Sequence, residues 1–137
     1  MTDYAWEFSR YLDAKDIRYT QGERNKNMFR IPYSGDNINT IPIHVIFDED
    51  GDPFVQLRCW DLQNFKSNPA VAVVLCNDLN EEYRWIKFYL DKDRDIVAAL
   101  DAVFDTDECG SYCMSLVMRM VNILDDAYPK IAKARWS

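Results

Sequence analysis

The sequence predicts a two-layer α+β domain, in which three helices cover one face of an antiparallel sheet of five or six strands, in the order α-β-β-β-β-α-β-β-α. Two observations predict this class. Segments with apolar residues at every second position come in pairs, and the turns that join them are too short for a crossover helix, so each pair must run antiparallel. Three other segments have helical periodicity and one apolar stripe each, and a single sheet face can bury all three stripes.

The composition fits one globular domain that spans residues 1–137. An aromatic content of 14%, with only 4 Gly and 5 Pro, excludes a disordered chain. The net charge of -7 argues against nucleic acid and membrane as partners, because both need a cationic surface. The first residues lack the basic start and apolar run of a secretory signal. We therefore expect a cytoplasmic protein whose four cysteines are reduced and mostly buried.

The first half of the chain is predicted to form one helix and two hairpins. The helix covers about residues 3–15, because apolar side chains recur there at helical spacing. Four extended segments follow, at residues 17–20, 28–33, 41–47 and 54–60, in which β-branched and aromatic residues lie between turn formers. The turn between the last two segments is acidic, and the alternation on both sides of it is the clearest in the chain.

A second helix is predicted over residues 69–82, with Asn68 as its cap and Pro69 at its first position. The apolar stripe of this helix is predicted to comprise Val71, Val74, Leu75 and Leu79. A third hairpin is expected from strands at residues 84–90 and 96–100.

A long last helix is predicted to begin with a cap at Asp105 or Thr106. It is predicted to end at Tyr128 and Pro129, because proline cannot continue the helical hydrogen-bond ladder. The tail from Lys130 is expected to fray. The apolar stripe of this helix comprises Cys113, Leu116, Val117, Met120, Leu124 and Ala127.

Two acidic triplets resemble the opening of a calcium-binding loop. They are Asp48, Asp50 and Asp52, and Asp91, Asp93 and Asp95. Such a loop needs glycine at its sixth position and glutamate at its twelfth. The first loop has Pro53 and Cys59 there, and the second has Ile96 and Ala102. We therefore interpret both triplets as solvated hairpin turns.

The sequence contains no complete catalytic or metal-binding motif. Cys109 and Cys113 are one helical turn apart and could supply half of a metal site, but a closed site needs two further ligands. His44 is the only histidine, the four glycines are isolated, and there is no nucleophile-elbow sequence. We therefore expect no enzyme activity, no metal and no cofactor.

One face of the predicted sheet is aromatic and cationic. If the aliphatic side chains of the strands turn toward the helices, alternation directs the intervening side chains the other way. The candidate residues of this protein-binding or dimer face are His44, Arg58, Trp60, Trp85, Lys87 and Tyr89. Trp, Tyr and Arg are enriched at protein interfaces. The alternative is that aromatic residues occur here only because they favour strands.

Three motifs together carry a family resemblance. They are LNEEYRWIKFYLD at residues 79–91, VIFDEDG at residues 45–51 and AYP at residues 127–129. The chain resembles the YbjN family of bacterial proteins, and the similarity extends from about Tyr19 to Tyr128.

The resemblance implies a fold similar to that of type III secretion chaperones, which often form homodimers and bind segments of other proteins. The family is described as sensory-transduction regulators, and it supplies no catalytic residues. The chain departs from the family pattern at residues 109–113, CGSYC, where a charged helix opening is usual. The leading hypothesis is a homodimeric, protein-binding or chaperone-like regulatory module. The alternative is a small-ligand, metal-responsive or redox-responsive regulator that uses the cysteines.

Overall fold

The computed structural model describes residues 1–105 and 107–136, and the helices and strands in these ranges follow the predicted order. They are α1 (Asp3–Ala14), β1 (Thr20–Gln21), β2 (Met28–Tyr33), β3 (Ile41–Phe47), β4 (Phe54–Cys59), α2 (Pro69–Glu82), β5 (Lys87–Leu90), β6 (Ile96–Val103) and α3 (Cys109–Arg135). None of these three helices combines the length and the apolar character that crossing a membrane requires.

The strands form one antiparallel sheet of six strands in the spatial order β1-β2-β3-β4-β6-β5. The predicted pairings of β1 with β2, β3 with β4 and β5 with β6 are all present. The hairpins are joined to one another by the β2–β3 and β4–β6 pairings. The predicted class, three helices on an antiparallel sheet, is therefore confirmed.

The core lies between the sheet and the helices. Along β3 and β4 the burial alternates, so that Ile43, Val45 and Leu57 are fully buried and the residues between them are half-buried. Phe8 of α1 packs edge-on against Phe29 of β2, with ring centroids 5.2 Å apart. The period-two pattern predicted this alternation, and it directs the intervening side chains to the opposite side of the sheet.

Two strands are shorter than predicted, and each follows a residue with a left-handed backbone. The chain leaves α1 through Asp16, whose φ is 55°, and the first strand is only Thr20–Gln21. Trp85 has a φ of 76°, a conformation that an extended strand cannot contain, so β5 begins at Lys87 rather than at residue 84. In contrast, β6 is longer than predicted and continues to Val103.

The buried side of α2 differs from the prediction. Leu79 is buried as predicted, but Val71 and Val74 are 37% and 62% exposed. The residues that α2 buries are Ala72, Cys76 and Leu79, with Leu75 half-buried beside them. Because α2 is apolar on two sides, helical periodicity alone could not select the side that faces the sheet.

The last helix does not end at Tyr128 and Pro129, as predicted, but continues to Arg135. Proline lacks the N–H that would bond to the carbonyl four residues earlier, so Pro129 leaves the carbonyl of Asp125 without its helical donor. The side-chain amide of Asn37 donates to this carbonyl at 3.0 Å. A contact from the β2–β3 loop thus replaces the bond that proline removes.

The segment from Lys130 is an ordered part of α3, so the expectation that it frays is wrong. Ile131 is fully buried in the core. Asn68 occupies the predicted cap position of α2, but its side chain makes no capping bond. Its amide nitrogen lies instead 3.5 Å from the carbonyl oxygens of Ala134 and Arg135, so it links the start of α2 to the end of α3.

The start of α3 also differs from the prediction. The helix begins at Cys109, so Asp105 lies outside it and does not cap it. Thr106, the other predicted cap, lies outside the described residues. Cys109 and Cys113 are fully buried, and Gly110 packs directly on Tyr11 of α1. Small side chains therefore open this helix because α1 lies against it.

Candidate protein-binding surface

The open face is the side of the sheet opposite the helices, and five candidate residues lie on it. They are His44 in β3, Arg58 in β4, Trp60 immediately after β4, and Lys87 and Tyr89 in β5. Burial alternates along these strands, so the five side chains project away from the core. The structure brings them together on one surface, and their role in binding remains a prediction.

A row of side chains crosses the open face at right angles to the strands. Arg30 lies opposite His44, and His44 lies opposite Arg58. Arg58 and Lys87 both lie opposite Ala99. We call these five residues the cationic row. Directly opposite residues have Cβ atoms about 5 Å apart, so three permanent cations are aligned across the sheet.

Trp60 lies beside the cationic row, and its ring centroid is 4.5 Å from that of His44. Extending the β4–β6 register by one residue places Trp60 opposite Val97, which pairs with Tyr89. Val97 is fully buried and Ala99 is only 4% exposed, although both point to the open face. The larger side chains around them therefore cover an apolar floor at the centre of the face.

The cations of the row differ in their partners. The Arg58 guanidinium donates to Asp101 Oδ1 at 2.7 Å. Lys87 Nζ lies 5.2 Å from the ring centroid of Tyr89, within the range of a cation–π contact. Among the described residues, neither Arg30 nor Lys87 has a carboxylate within ion-pair distance. The charge of Arg58, at the centre of the row, is therefore neutralised, whereas Arg30 and Lys87, at its two ends, have no described carboxylate partner.

The environment of His44 favours the neutral form of its imidazole. Burial lowers the pKa of its imidazole below the ordinary value of 6.5, and the positive charge of Arg30 lowers it further. The unfolded chain consequently binds a proton more readily than the folded chain. This histidine's contribution to folding stability is therefore full above pH 6.5 and is lost as the pH falls through the interval between 6.5 and the lower folded pKa.

Replacing Arg30 with Gln should raise the pKa of His44 toward 6.5, because one of the two causes of the shift is removed while burial remains. The chain has one histidine, so a proton NMR titration of the imidazole resonances reads this pKa directly. Arg24→Gln removes the same charge from the exposed turn before β2 and should leave the pKa unchanged. A native pKa of 6.5 or higher would contradict the described burial of the ring.

A cleft of about 620 Å³ opens at one end of the row. Its walls include Arg30, His44, Trp60, the loop at residues 37–40 and Tyr128 of α3. The lining thus combines a cation and an aromatic ring with the polar residues Asn39 and Thr40 and the acidic residue Asp61, a combination that suits a side chain with an apolar stem and a polar end.

The loop that forms one wall of the cleft is fixed to α3 by Asp125. The carboxylate of Asp125 accepts hydrogen bonds from the backbone N–H groups of Asn37 at 2.8 Å, Asp36 at 3.1 Å and Ile38 at 3.2 Å. These bonds, that from Asn37 above all, hold the pKa of the Asp125 carboxyl below its usual range. Together with the Asn37 contact to the Asp125 carbonyl, they set the position of this wall.

The sixth candidate residue, Trp85, is not part of the open face, so its predicted position is wrong. The left-handed backbone at Trp85 ends the period-two alternation. Its indole is 61% exposed, and the guanidinium of Arg119, on α3, lies 4.8 Å from the ring centroid. The prediction assumed that the strand began at residue 84, whereas it begins at Lys87.

All four cysteines are free and buried, as predicted. Burial raises the pKa of Cys59 to about 12 and that of Cys76 to about 11, so both thiols stay protonated. The Sγ atoms of Cys109 and Cys113 are 3.9 Å apart, and their mutual hydrogen bond and burial raise the pKa of Cys113. Within residues 1–105 and 107–136, no cysteine belongs to a group of three or more possible metal ligands.

The acidic triplets form turns. The carboxylates of Asp48, Asp50 and Asp52 lie within 4.8 Å of one another. Desolvation and the neighbouring carboxylates raise the pKa of Asp48. In the second triplet, Asp91 Oδ1 accepts hydrogen bonds from the backbone N–H groups of Asp93 and Asp95, each at 2.9 Å. This pattern is that of an aspartate closing its own turn.

Arg30 and Ala99 also belong to the open face, although neither is among the six residues predicted for it. A signal for Arg30 was present, because Phe29 and Ile31 are apolar neighbours and alternation directs Arg30 away from them. Ala99 had no such signal. It joins the surface through the pairing of β6 with β4, and no local pattern specifies which distant strands become neighbours.

A second exposed surface lies on α2, where the sequence analysis predicted core. We call it the valine face, and it comprises Ala70, Val71, Val74, Leu75 and Asp78 of α2, with Ala134 of α3. These residues line a shallow groove of about 450 Å³. An exposed valine is about 0.5 kcal/mol less favourable in a helix than alanine, so helix propensity does not account for the two valines here.

The model of the YbjN family, described as "Putative bacterial sensory transduction regulator", matches residues 7–123. The chain belongs to the YbjN family. The match includes all six strands, so the resemblance inferred from three motifs is confirmed.

Solved structures share the fold of this YbjN-family chain at low sequence identity. The crystal structure of YbjN from E. coli, described as "a putative transcription regulator", has a TM-score of 0.62 and 8% identity, and the match covers 90% of each chain. The Yersinia pestis type III secretion chaperone SycH, in complex with a fragment of YscM2, has a TM-score of 0.52 and 12% identity, with 87% of this chain and 94% of that chain covered.

The heterodimeric ExoU–SpcU complex of the Pseudomonas aeruginosa type III secretion system has a TM-score of 0.56 and 13% identity, over 91% of this chain and 94% of that chain. No curated protein sequence matches the chain. The YbjN family and these neighbours are described by regulation and by complexes with proteins rather than by a reaction.

Proposed function

We propose that this YbjN-family chain is a non-catalytic, protein-binding module of the bacterial cytoplasm, chaperone-like or regulatory, that acts as a homodimer. The observation that carries the proposal is the open face, a side of the sheet that bears Trp60, Tyr89 and the cationic row while the three helices pack on the other side. The structures of SycH with a YscM2 fragment and of the ExoU–SpcU heterodimer, which share the fold, are complexes of two proteins, and this supports a protein-binding role.

The chemistry of the open face favours binding over a purely structural role. The strand preference of aromatic residues accounts for Tyr89 and for the half-buried Trp60. It does not account for Arg30 and Lys87, which lie at the two ends of the row without a described carboxylate partner. Aromatic rings next to arginine and lysine form the kind of patch that anchors protein interfaces.

Replacing Trp60 with Ser should abolish most partner capture and leave the fold intact. The indole is the largest side chain beside the row and contacts the His44 ring at an interplanar angle of 48°, so its loss removes the main apolar anchor of the face. We expect recovery of a specific partner on the tagged chain to fall by about tenfold or more, the usual effect of losing a central aromatic anchor. Quantitative mass spectrometry of captured proteins measures this recovery.

Trp6→Ser is the matched control, because Trp6 is an exposed indole on α1 and lies away from the open face. Recovery should be the same for this control and for the native chain. Circular dichroism at increasing temperature checks that both variants fold. Equal recovery with Trp60→Ser and with the native chain would refute the open face as the binding surface.

The homodimer is proposed to form through the valine face, which leaves the open face available for a partner. Two-fold symmetry places the same patch of each copy face to face, an arrangement that suits Val71, Val74 and Ala70 because they carry no charge. Each copy has a net charge of -7, so two copies repel each other. This repulsion is smallest where the surfaces that meet are mostly apolar.

A regulator that uses its cysteines is the alternative that the sequence analysis left open. Cys109 and Cys113 are close enough to hydrogen-bond, but they are fully buried beneath α1. Native mass spectrometry separates the two proposals. A bare dimer mass supports the binding module, and a dimer or monomer that retains a metal ion or small molecule supports the alternative.

A further inference from the structure

Two cations at the ends of the cationic row have no ion-pair partner among the described carboxylates. The chain has 23 acidic side chains against 16 basic ones, so a carboxylate is the commonest charged neighbour a cation could have. In the described ranges, Arg58 is paired with Asp101, whereas Arg30 and Lys87 are paired with none. These two charges are therefore available to an anionic group from another molecule.

The spacing of these cations follows from the order of the strands. Arg30 lies on β2 and Lys87 lies on β5, and the strands β3, β4 and β6 lie between them. Neighbouring strands are about 4.8 Å apart, so the backbones at Arg30 and Lys87 are about 19 Å apart across the sheet, with Arg58 midway. A ligand that contacts both ends must therefore be longer than a single side chain or a small metabolite.

The surface between these ends is formed by the larger side chains that cover Val97 and Ala99. Among them are the half-buried rings of Trp60 and Tyr89, which lie to one side of the row. These rings can pack against an apolar or aromatic side chain of a ligand without displacing the cations. Arg58 does not add a third free charge here, because Asp101 neutralises it.

We propose that the open face binds an acidic peptide segment of a protein partner, whose carboxylates contact Arg30 and Lys87 and whose apolar or aromatic side chain packs against the rings of Trp60 and Tyr89. This inference rests on the proposed function and specifies the chemistry of the partner. An extended segment advances about 3.3 Å per residue, so the two carboxylates should be about six residues apart. A nucleic acid fits less well, because its continuous phosphates would meet the carboxylate of Asp101 within the same face.

Fluorescence anisotropy with a labelled synthetic peptide tests this chemistry. The probe is a peptide of about nine residues with glutamates near both ends and leucine and phenylalanine between them, long enough to cross the row. A second peptide has glutamine in place of every glutamate. We expect the acidic peptide to bind about tenfold or more tightly than the glutamine peptide, and to weaken severalfold as salt rises from about 50 to about 300 mM.

The double variant Arg30→Gln/Lys87→Gln should lose this preference. The control double variant Arg10→Gln/Arg18→Gln removes the same charge from exposed positions in and after α1 and should retain it. Equal binding of the two peptides, or a preference that survives Arg30→Gln/Lys87→Gln, would overturn the inference. Tighter binding of a single-stranded oligonucleotide of similar length would also overturn it.

The failure of this inference can be told apart from failure of the proposed function. If Trp60→Ser abolishes partner capture while the acidic peptide shows no preference, the open face binds proteins of another chemistry and only the present inference is wrong. If Trp60→Ser leaves partner capture unchanged, the open face itself is not the binding surface, and both proposals are wrong.

Discussion

Gly110→Ala should lower the free energy of unfolding by about 2 kcal/mol, although alanine is normally the better helix residue. A Cβ atom at position 110 would lie 2.5 Å from the Cβ and 2.7 Å from the Cδ2 of Tyr11. The Cβ of Tyr11 is fixed to the backbone of α1 and cannot swing away, so one helix must shift relative to the other. For a chain of this length the midpoint of thermal unfolding should fall by roughly 5–10 °C.

Ser111→Ala is the control for this substitution, because Ser111 is the next residue of the same helix turn and is exposed. Its thermal midpoint should change by about 1 °C or less, as expected for a surface position. A Gly110→Ala variant as stable as the native chain would contradict the close packing of α1 on α3. The same packing accounts for the small residues Cys109 and Gly110 at the start of α3.

The double variant Val71→Lys/Val74→Lys should convert the proposed dimer to a monomer. Burying a partly exposed valine contributes about 1 kcal/mol, and a two-fold interface buries each of them twice. Removing the two valines from both copies therefore weakens the free energy of dimerisation by about 4 kcal/mol, which is a factor of roughly 10³ in the dissociation constant. The new lysines would also meet one another across the symmetry axis. Sedimentation equilibrium measures the resulting monomer and dimer populations.

Val73→Lys is the matched control, because Val73 is 58% exposed on the same helix but does not line the valine face. It should leave the dimer intact. A native chain that sediments as a monomer at tens of micromolar would refute the proposed homodimer. A dimer that survives Val71→Lys/Val74→Lys but dissociates with Trp60→Ser would instead place the dimer interface on the open face.

The alternation of apolar and polar residues predicted the strands well, because each strand has one side that faces the core and one side that faces away from it. On β3 and β4 one side faces the core, so apolar residues at alternate positions identify both the strand and its buried side. The same logic correctly placed His44 and Arg58 on the open face. It failed at Trp85, where a single residue with positive φ breaks the period of two. No neighbouring residue type signals that break.

Helical periodicity was less informative where a helix has two apolar sides. In α2, Val71 and Val74 have the spacing of a core stripe, yet the sheet packs against the side that contains Ala72 and Cys76. In α3 the proline rule failed at Pro129, because Asn37 supplies a donor to the carbonyl that proline leaves unpaired. Both errors concern contacts between residues that are distant in the chain.

The sequence by itself determined the order of helices and strands, the antiparallel hairpins and the family, since these depend on residue periods and turns within short segments. Only the tertiary structure decided that β4 pairs with β6, which completes the row from Arg30 to Lys87. It also decided which side of α2 remains exposed. The physical reason is that burial against a distant segment depends on how whole elements pack, and local preferences are compatible with more than one such packing.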